Sequence, residues 1–200
     1  MFENTGSKLQ PFHDCLRDAT SVLHKKLEGT ELSIALMSPN VSQDQYIRYL
    51  RNMKAVTSFY DKNILRVAAQ AIPDTDKRKK EQLIDADLHF LKANESAREQ
   101  PSFGPSDKNL SLLHALGYMY VMEGSTLGGK IISAHIQKCL GISENSGGSF
   151  FYGYGNETGR YWKSLLQKLE EIAVSEKERS QIIDGACEAF SKLYDYFQQN

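Results

Sequence analysis

The chain lacks most of the features that announce a function on sight. Its three cysteines, Cys15, Cys139 and Cys187, are scattered over 200 residues with no C-x-x-C pair. An odd, dispersed set argues against a disulfide scaffold or a structural zinc site and for reduced thiols, as in a cytosol. No apolar run approaches the ~20 residues that cross a bilayer. The opening MFENTGSKLQPF has no apolar stretch of the kind a secretory signal needs. The expectation is a cytoplasmic protein that does not enter a membrane. Charge of one sign is missing too. The 24 Lys+Arg nearly balance 25 Asp+Glu, so nothing points to nucleic acid or an anionic membrane as partner. There is no Walker loop, no G-x-G-x-x-G and no G-x-S-x-G. The five histidines, His13, His24, His89, His114 and His135, form neither H-E-x-x-H nor Glu-x-x-His. A zinc protease and a ferritin-like di-iron bundle are therefore poorly supported.

Strand alternation is also absent, and apolar residues recur instead at helical spacing. A first helix is expected from about Pro11 to Glu28, with Phe12, Leu16, Ala19, Leu23 and Leu27 inward and a short tail over 1–10. Ser42-x-x-Gln45 forms a capping box that opens a long helix, with Tyr46, Leu50, Met53, Val56, Tyr60, Ile64 and Val67 inward, to about Ala71. Pro73 breaks it. A third helix is expected from Asp76 to about Ala97, with Leu83, Ala86, Phe90 and Leu91 inward. The charged Asp74–Glu81 stretch reads as its solvated start. A glycine-bearing helix lies between Leu110 and Leu140. The Gly- and aromatic-rich 141–159 stretch is irregular and packs over something. Two closing helices span about Glu157–Ala173 and Glu176–Gln198. The expected architecture is all-α: a single-domain bundle over 1–200 of about six to eight helices.

Two features stand out against this background. Within GYMYVMEGSTLGG, Gly117, Val121, Gly124 and Gly128 are spaced by four, three and four residues, so they form one narrow stripe. Each interior glycine costs a helix about 1 kcal/mol relative to Ala, so the set calls for a reason. Close packing against another helix is the favoured reading of the spacing alone. Close approach of a flat ligand is the alternative. The second feature is His24, on the flank of the first apolar stripe. Arg17 lies almost two turns earlier on the same side, roughly 10 Å along the axis. Glu28, one turn later, can orient the imidazole. A boundary histidine with solvent-facing neighbours is the plain reading. A ligand histidine with a nearby cation would suit a flat metallocycle that carries peripheral carboxylates.

Leu16-Arg-Asp-Ala-Thr-Ser-Val-Leu-His24-Lys-Lys-Leu-Glu28 followed by Gly117-Tyr-Met-Tyr-Val-Met-Glu-Gly-Ser-Thr-Leu-Gly-Gly129 resembles the soluble bacterial heme oxygenases. Within these it is most similar to the type encoded beside bacterial phytochromes. The likeness extends to Tyr152-Gly-Tyr-Gly155, to Gly159-Arg-Tyr-Trp162 and to Ala186 with Ala189-Phe190. The resemblance implies that His24 ligates the iron of heme b. It implies that Gly124, Gly128 and Gly129 approach the distal face, with Ser125 beside them. It assigns the propionates to Arg17 and to Arg160 or Lys163. It further implies oxidation by O2 to biliverdin, carbon monoxide and ferrous iron, with electrons from a ferredoxin or flavodoxin and its reductase, and a bacteriophytochrome as acceptor of the bilin. One position departs from the animal enzymes. They carry Asp after the first distal glycine, where this chain has Ser125, and that Asp organises distal water. They also carry a C-terminal membrane anchor. Three other readings stand beside the enzyme: a heme carrier or sensor without turnover, a heme-free thiaminase-like enzyme on the same fold, and a structural helical interaction domain.

Overall fold

The computed structural model describes residues 10–93, 103–104 and 110–199, and all regular structure among these is helical. The expected 1–10 tail lies almost wholly outside the described residues. Helix α1 spans Phe12–Glu28 and buries Phe12, Leu16 and Thr20. Its inward face is thus rotated from the expected stripe: Ala19 is exposed, and Leu23 and Leu27 are only half-buried. The rotation turns the other flank, from His13 to Glu28, toward a cleft rather than the core. A short α2, Glu31–Leu36, follows, capped by Thr30. It has too few turns to display a period, and the sequence did not reveal it.

The capping box of Ser42 and Gln45 is present and starts α3, Gln43–Phe59. Helical structure continues through a π-turn at Tyr60–Ile64 into α4, Leu65–Ala68. Past Pro73 the expected third helix is split. A 3₁₀ turn, Thr75–Arg78, leads through extended Lys79 into α5, Glu81–Phe90. Helix α5 ends at Phe90, and residues 94–97 of the expected helix lie outside the described residues; α5 buries Ile84 and Asp87, whereas Ala86 and Phe90 face outward. The expected inward face holds in part: Leu83 and Leu91 are half-buried, and Leu91 packs against the core, whereas Asp87 rather than Ala86 or Phe90 is the buried group. Its carboxylate accepts from the backbone N–H of Ser149 and Phe150, each at 2.8 Å, and from the Ser149 hydroxyl at 2.7 Å. Burial raises its pKa, and these three donors oppose the rise.

The centre of the molecule is α6, Leu112–Leu140, a single 29-residue helix capped by Ser111 and ended by left-handed Gly141. Ala115 to Glu123 are buried without a break. A helix apolar on every side belongs in the middle of a bundle. Around it lie α7 (Ser149–Tyr152), a 3₁₀ turn at Gly155–Glu157, α8 (Thr158–Ile172) and α9 (Glu176–Gln199). Helix α9 packs along both α6 and α1, and α8 touches both as well. No described helix is long and apolar enough to cross a membrane.

Candidate functional site

Because α1 and α6 both lean on α8 and α9, a cleft of about 1250 Å³ lies between them. That exceeds the roughly 300–1,000 Å³ usual for small-molecule pockets and calls for a larger ligand. His24, Arg17 and Glu28 of α1 line it, and so do Gly124, Ser125, Gly128 and Gly129 of α6. Two segments a hundred residues apart in the chain therefore share one space, as the sequence reading required.

His24 projects from α1 with 55% of its side chain exposed. Glu28 places a carboxylate oxygen 3.5 Å from Nδ1. Phe190 of α9 meets the ring edge-on at 5.6 Å between centroids. One nitrogen is engaged and the ring plane is steadied, so Nε2 remains for a ligand. Among the described residues, no cluster of three or more His, Cys, Asp or Glu could hold a metal by itself. A single imidazole suits a metal that arrives inside a macrocycle. Arg17 also lines the cleft, but its guanidinium is held by Asp14 at 2.8 Å and Asp18 at 3.2 Å. The hydrogen bond to Asp18, then the charges of Asp14 and Asp18, raise its pKa. An incoming carboxylate must therefore compete with two that are already there.

The glycine stripe on α6 divides into two functions. A Cβ on Gly117 would lie 2.2 Å from the Ile182 carbonyl oxygen, so this glycine serves helix packing. A Cβ on Gly124 would only touch the Trp162 ring at 3.5 Å, and one on Gly128 would meet nothing within 4 Å. These two leave bare backbone facing the cleft. Gly129 does not belong with them. It is buried, and a Cβ there would strike the Phe151 carbonyl oxygen at 2.8 Å, so its bareness serves α7 rather than a ligand. Ser125 faces the cleft, but its hydroxyl donates back to the Met122 carbonyl at 2.8 Å.

Arg160 and Lys163 are not brought to the cleft. Helix α8 turns Trp162 toward it instead, which rotates 160 and 163 outward. Arg160 pairs with Glu157 and stacks 4.7 Å over the Tyr161 ring. The cations that do line the cleft beside Arg17 are Lys25, Lys79 and Lys80.

Behind the α6 wall lies a buried ionic knot. Glu123, 1% exposed, accepts from Arg78 at 2.7 Å, Lys80 at 2.9 Å, Tyr60 at 3.0 Å and Tyr154 at 2.9 Å. Arg78, also 1% exposed, is held in turn by both oxygens of Asp74 and by Ser164. The charged 74–81 stretch is thus no solvated helix start, since two of its cations are core residues. Burial alone would raise the pKa of Glu123. The charges of Lys80 and Arg78 outweigh it and hold the carboxyl below the usual range.

A sequence model described as heme oxygenase matches residues 10–199. The chain belongs to the heme oxygenase family. It is 26% identical over 189 residues to heme oxygenase PigA of Pseudomonas aeruginosa, covering 90% of this chain and 88% of that one. Its fold is that of heme oxygenase from Leptospira interrogans (TM-score 0.75, 17% identity, 96% and 100% of the two chains). It is likewise similar to the NO- and CO-bound heme oxygenase of Neisseria meningitidis (TM-score 0.72, 23% identity, 94% and 91%). Heme oxygenase-1 of Synechocystis, solved in complex with heme, is similar too (TM-score 0.72, 15% identity, 95% and 92%).

Two features at or behind the cleft escaped the sequence reading. One is an aromatic end, where His13 meets Trp162 edge-on at 5.8 Å and Tyr120 lies 5.3 Å from Trp162. These residues come from three helices, and no local spacing connects them. The other is the knot, for which a signal existed. Glu123 is the sole Asp, Glu, Lys or Arg between Leu110 and Gly129. A carboxylate inside an apolar helix needs buried partners.

Proposed function

We propose that the cleft binds heme b and that the protein opens the macrocycle to biliverdin, carbon monoxide and ferrous iron, with O2 and external electrons. The observation that carries this reading is the pairing of His24 with open backbone at Gly124 and Gly128 across one cleft too large for a small metabolite. The residues fit the group. The walls are mainly apolar, one imidazole nitrogen is available, and cations stand at the rim. In this reading His24 Nε2 would hold the iron and Glu28 would steady its Nδ1, while Arg17, with Lys25 or Lys79, would receive the propionates. Arg160 and Lys163 drop out of that role. When bound, the heme supplies the oxidative chemistry.

The protein's part is confinement. Side-chain-poor backbone at Gly124 and Gly128 lets α6 lie close over the macrocycle and restricts where a small ligand can lean. The aromatic end formed by His13, Tyr120 and Trp162 would keep water from part of the cleft. Ser125 offers its oxygen as an acceptor, because its proton is committed to Met122. A ferredoxin or flavodoxin with its reductase as donor, and a phytochrome as bilin acceptor, complete the proposal from the family resemblance.

A heme-free thiaminase-like chemistry has little to work with. No cysteine lines the cleft among the described residues, and Glu28 at the rim is its one carboxylate. The test is to add hemin, then ascorbate or a ferredoxin with its reductase, and record visible spectra. The expected result is a Soret band that decays as biliverdin absorbance grows. A stable complex that never turns over would leave a carrier or sensor. No Soret band would remove heme altogether.

A further inference from the structure

Ser125 lines the cleft, but its hydroxyl proton is spent inside its own helix. Other lining residues are better placed to donate a hydrogen bond into this part of the cleft. Two members of the buried knot, Lys80 and Tyr154, also line the cleft, while Arg78 and Tyr60 do not. Lys80 is 5% exposed, and its ammonium is boxed in by the Tyr154 ring at 4.6 Å and the Tyr60 ring at 5.6 Å. It donates to Glu123 at 2.9 Å and to the Tyr154 hydroxyl at 2.8 Å. An ammonium has three N–H bonds, so one is left beyond these two acceptors. The Tyr154 hydroxyl in turn donates to Glu123.

The backbone on both sides is tied down as well. Lys80 N and Glu81 N both donate to Asp61, at 2.9 and 2.8 Å, on the π-turn that also presents Tyr60. A π-turn commonly marks a functional place in a helix. Here it aims two residues at one short segment. Two cations, Arg78 and Lys80, face two carboxylates, Glu123 and Asp74. Asp61 adds a third carboxylate against the Lys80 backbone.

We propose that Lys80 and Tyr154 are the polar groups of the cleft that act on a ligand bound beside the Gly124–Gly128 wall, and that Glu123 is the positioning residue that fixes both. The proposal rests on the heme reading above. Glu123 directly precedes Gly124 on α6, so the anchor of the ammonium lies next to the glycine wall. Lys80 takes over the role of a hydrogen-bonding partner on the α6 side, which Ser125 cannot fill as a donor.

The experiment compares hemin complexes of the wild type, Tyr154→Phe, Lys80→Met, Lys80→Arg and Tyr60→Phe. Hemin affinity is read from Soret titration. The second readout is the pH midpoint of the ferric acid–alkaline spectral transition, which senses charge and hydrogen bonding at the iron's free side. Loss of a nearby cation disfavours the hydroxide form, so Lys80→Met raises the midpoint by about one pH unit. Lys80→Arg stays closer to the wild type. Tyr154→Phe moves the midpoint, and Tyr60→Phe, which holds the same carboxylate from outside the cleft, moves it least. If Lys80→Met does not fold, Tyr154→Phe against Tyr60→Phe carries the comparison, since each removes one oxygen. Wild-type hemin uptake with equal midpoints in all variants overturns this proposal alone. A wild type that takes up no hemin overturns the heme reading and this proposal with it.

Discussion

Gly117 on α6 and Gly185 on α9 stand back to back. A Cβ on the first would lie 2.7 Å from the carbonyl carbon of the second, and a Cβ on Gly185 would lie 2.4 Å from the His114 carbonyl oxygen. All of these obstacles are backbone, so neither helix can yield by turning a side chain. Gly117→Ala is expected to cost about 1–3 kcal/mol through overpacking. At ~2–4 °C per kcal/mol for a chain of this size, differential scanning calorimetry resolves the loss.

Eleven residues on, the same substitution reverses sign. A Cβ on Gly128 meets nothing within 4 Å, and Ala in place of Gly gains up to ~1 kcal/mol of helix propensity. Gly128→Ala is expected to raise the melting temperature of the heme-free protein. Gly128→Leu is expected to fold and yet to lose ring opening, because the side chain enters the cleft. Wild-type turnover by Gly128→Leu would contradict a ligand-facing role for this position.

Stability should depend on pH through Glu123. Its folded pKa lies below 4.5, the ordinary value, since the Lys80 and Arg78 charges outweigh burial. A depressed acid contributes stability that is fully present above its unfolded pKa. That contribution is lost as pH falls through the folded value. Glu123→Gln leaves two buried cations short of a counter-charge and is expected to cost about 3–5 kcal/mol at pH 7. The gap between wild type and variant, read by urea titration, should be flat above about pH 5 and shrink below about pH 4. A gap that stays constant to pH 3 would mean that the carboxylate charge does not hold the knot together.

Rim cations should matter little one by one. Arg17 is 58% exposed and already paired, so Arg17→Ala is expected to weaken hemin binding by about fivefold at most. Arg160→Ala is expected to leave affinity unchanged, since Arg160 lies outside the cleft. Fluorescence quenching titrations with hemin check both. A larger loss from Arg160→Ala than from Arg17→Ala would overturn the rim assignment.

Much of this was legible in the sequence, for identifiable reasons. The long helices show because many turns repeat one period, as in α9, where Ile182, Ala186, Ala189, Phe190, Leu193 and Phe197 are all buried. The Ser42 capping box marked a helix start to the residue. His24 and Gly124 drew notice through their neighbours: Arg17 and Glu28 stand on either side of the first, and a stripe of glycines holds the second. What escaped depends on groups far apart in sequence. Asp87 is buried to hold α7, which left Ala86 and Phe90 outside the buried face of α5. Arg78 and Lys80 look like surface charge until Glu123, more than forty residues on, is seen to need them. Gly117 and Gly128 share a stripe, and only their neighbours tell packing from opening.

The central claim is tested most directly by the visible and electron paramagnetic resonance spectra of the hemin complex of His24→Ala, with and without added imidazole. The account predicts that the histidine-ligated signature disappears, that ring opening stops, and that free imidazole restores the signature by filling the vacated position. A His24→Ala complex with the wild-type spectrum and wild-type turnover would remove His24 from the iron.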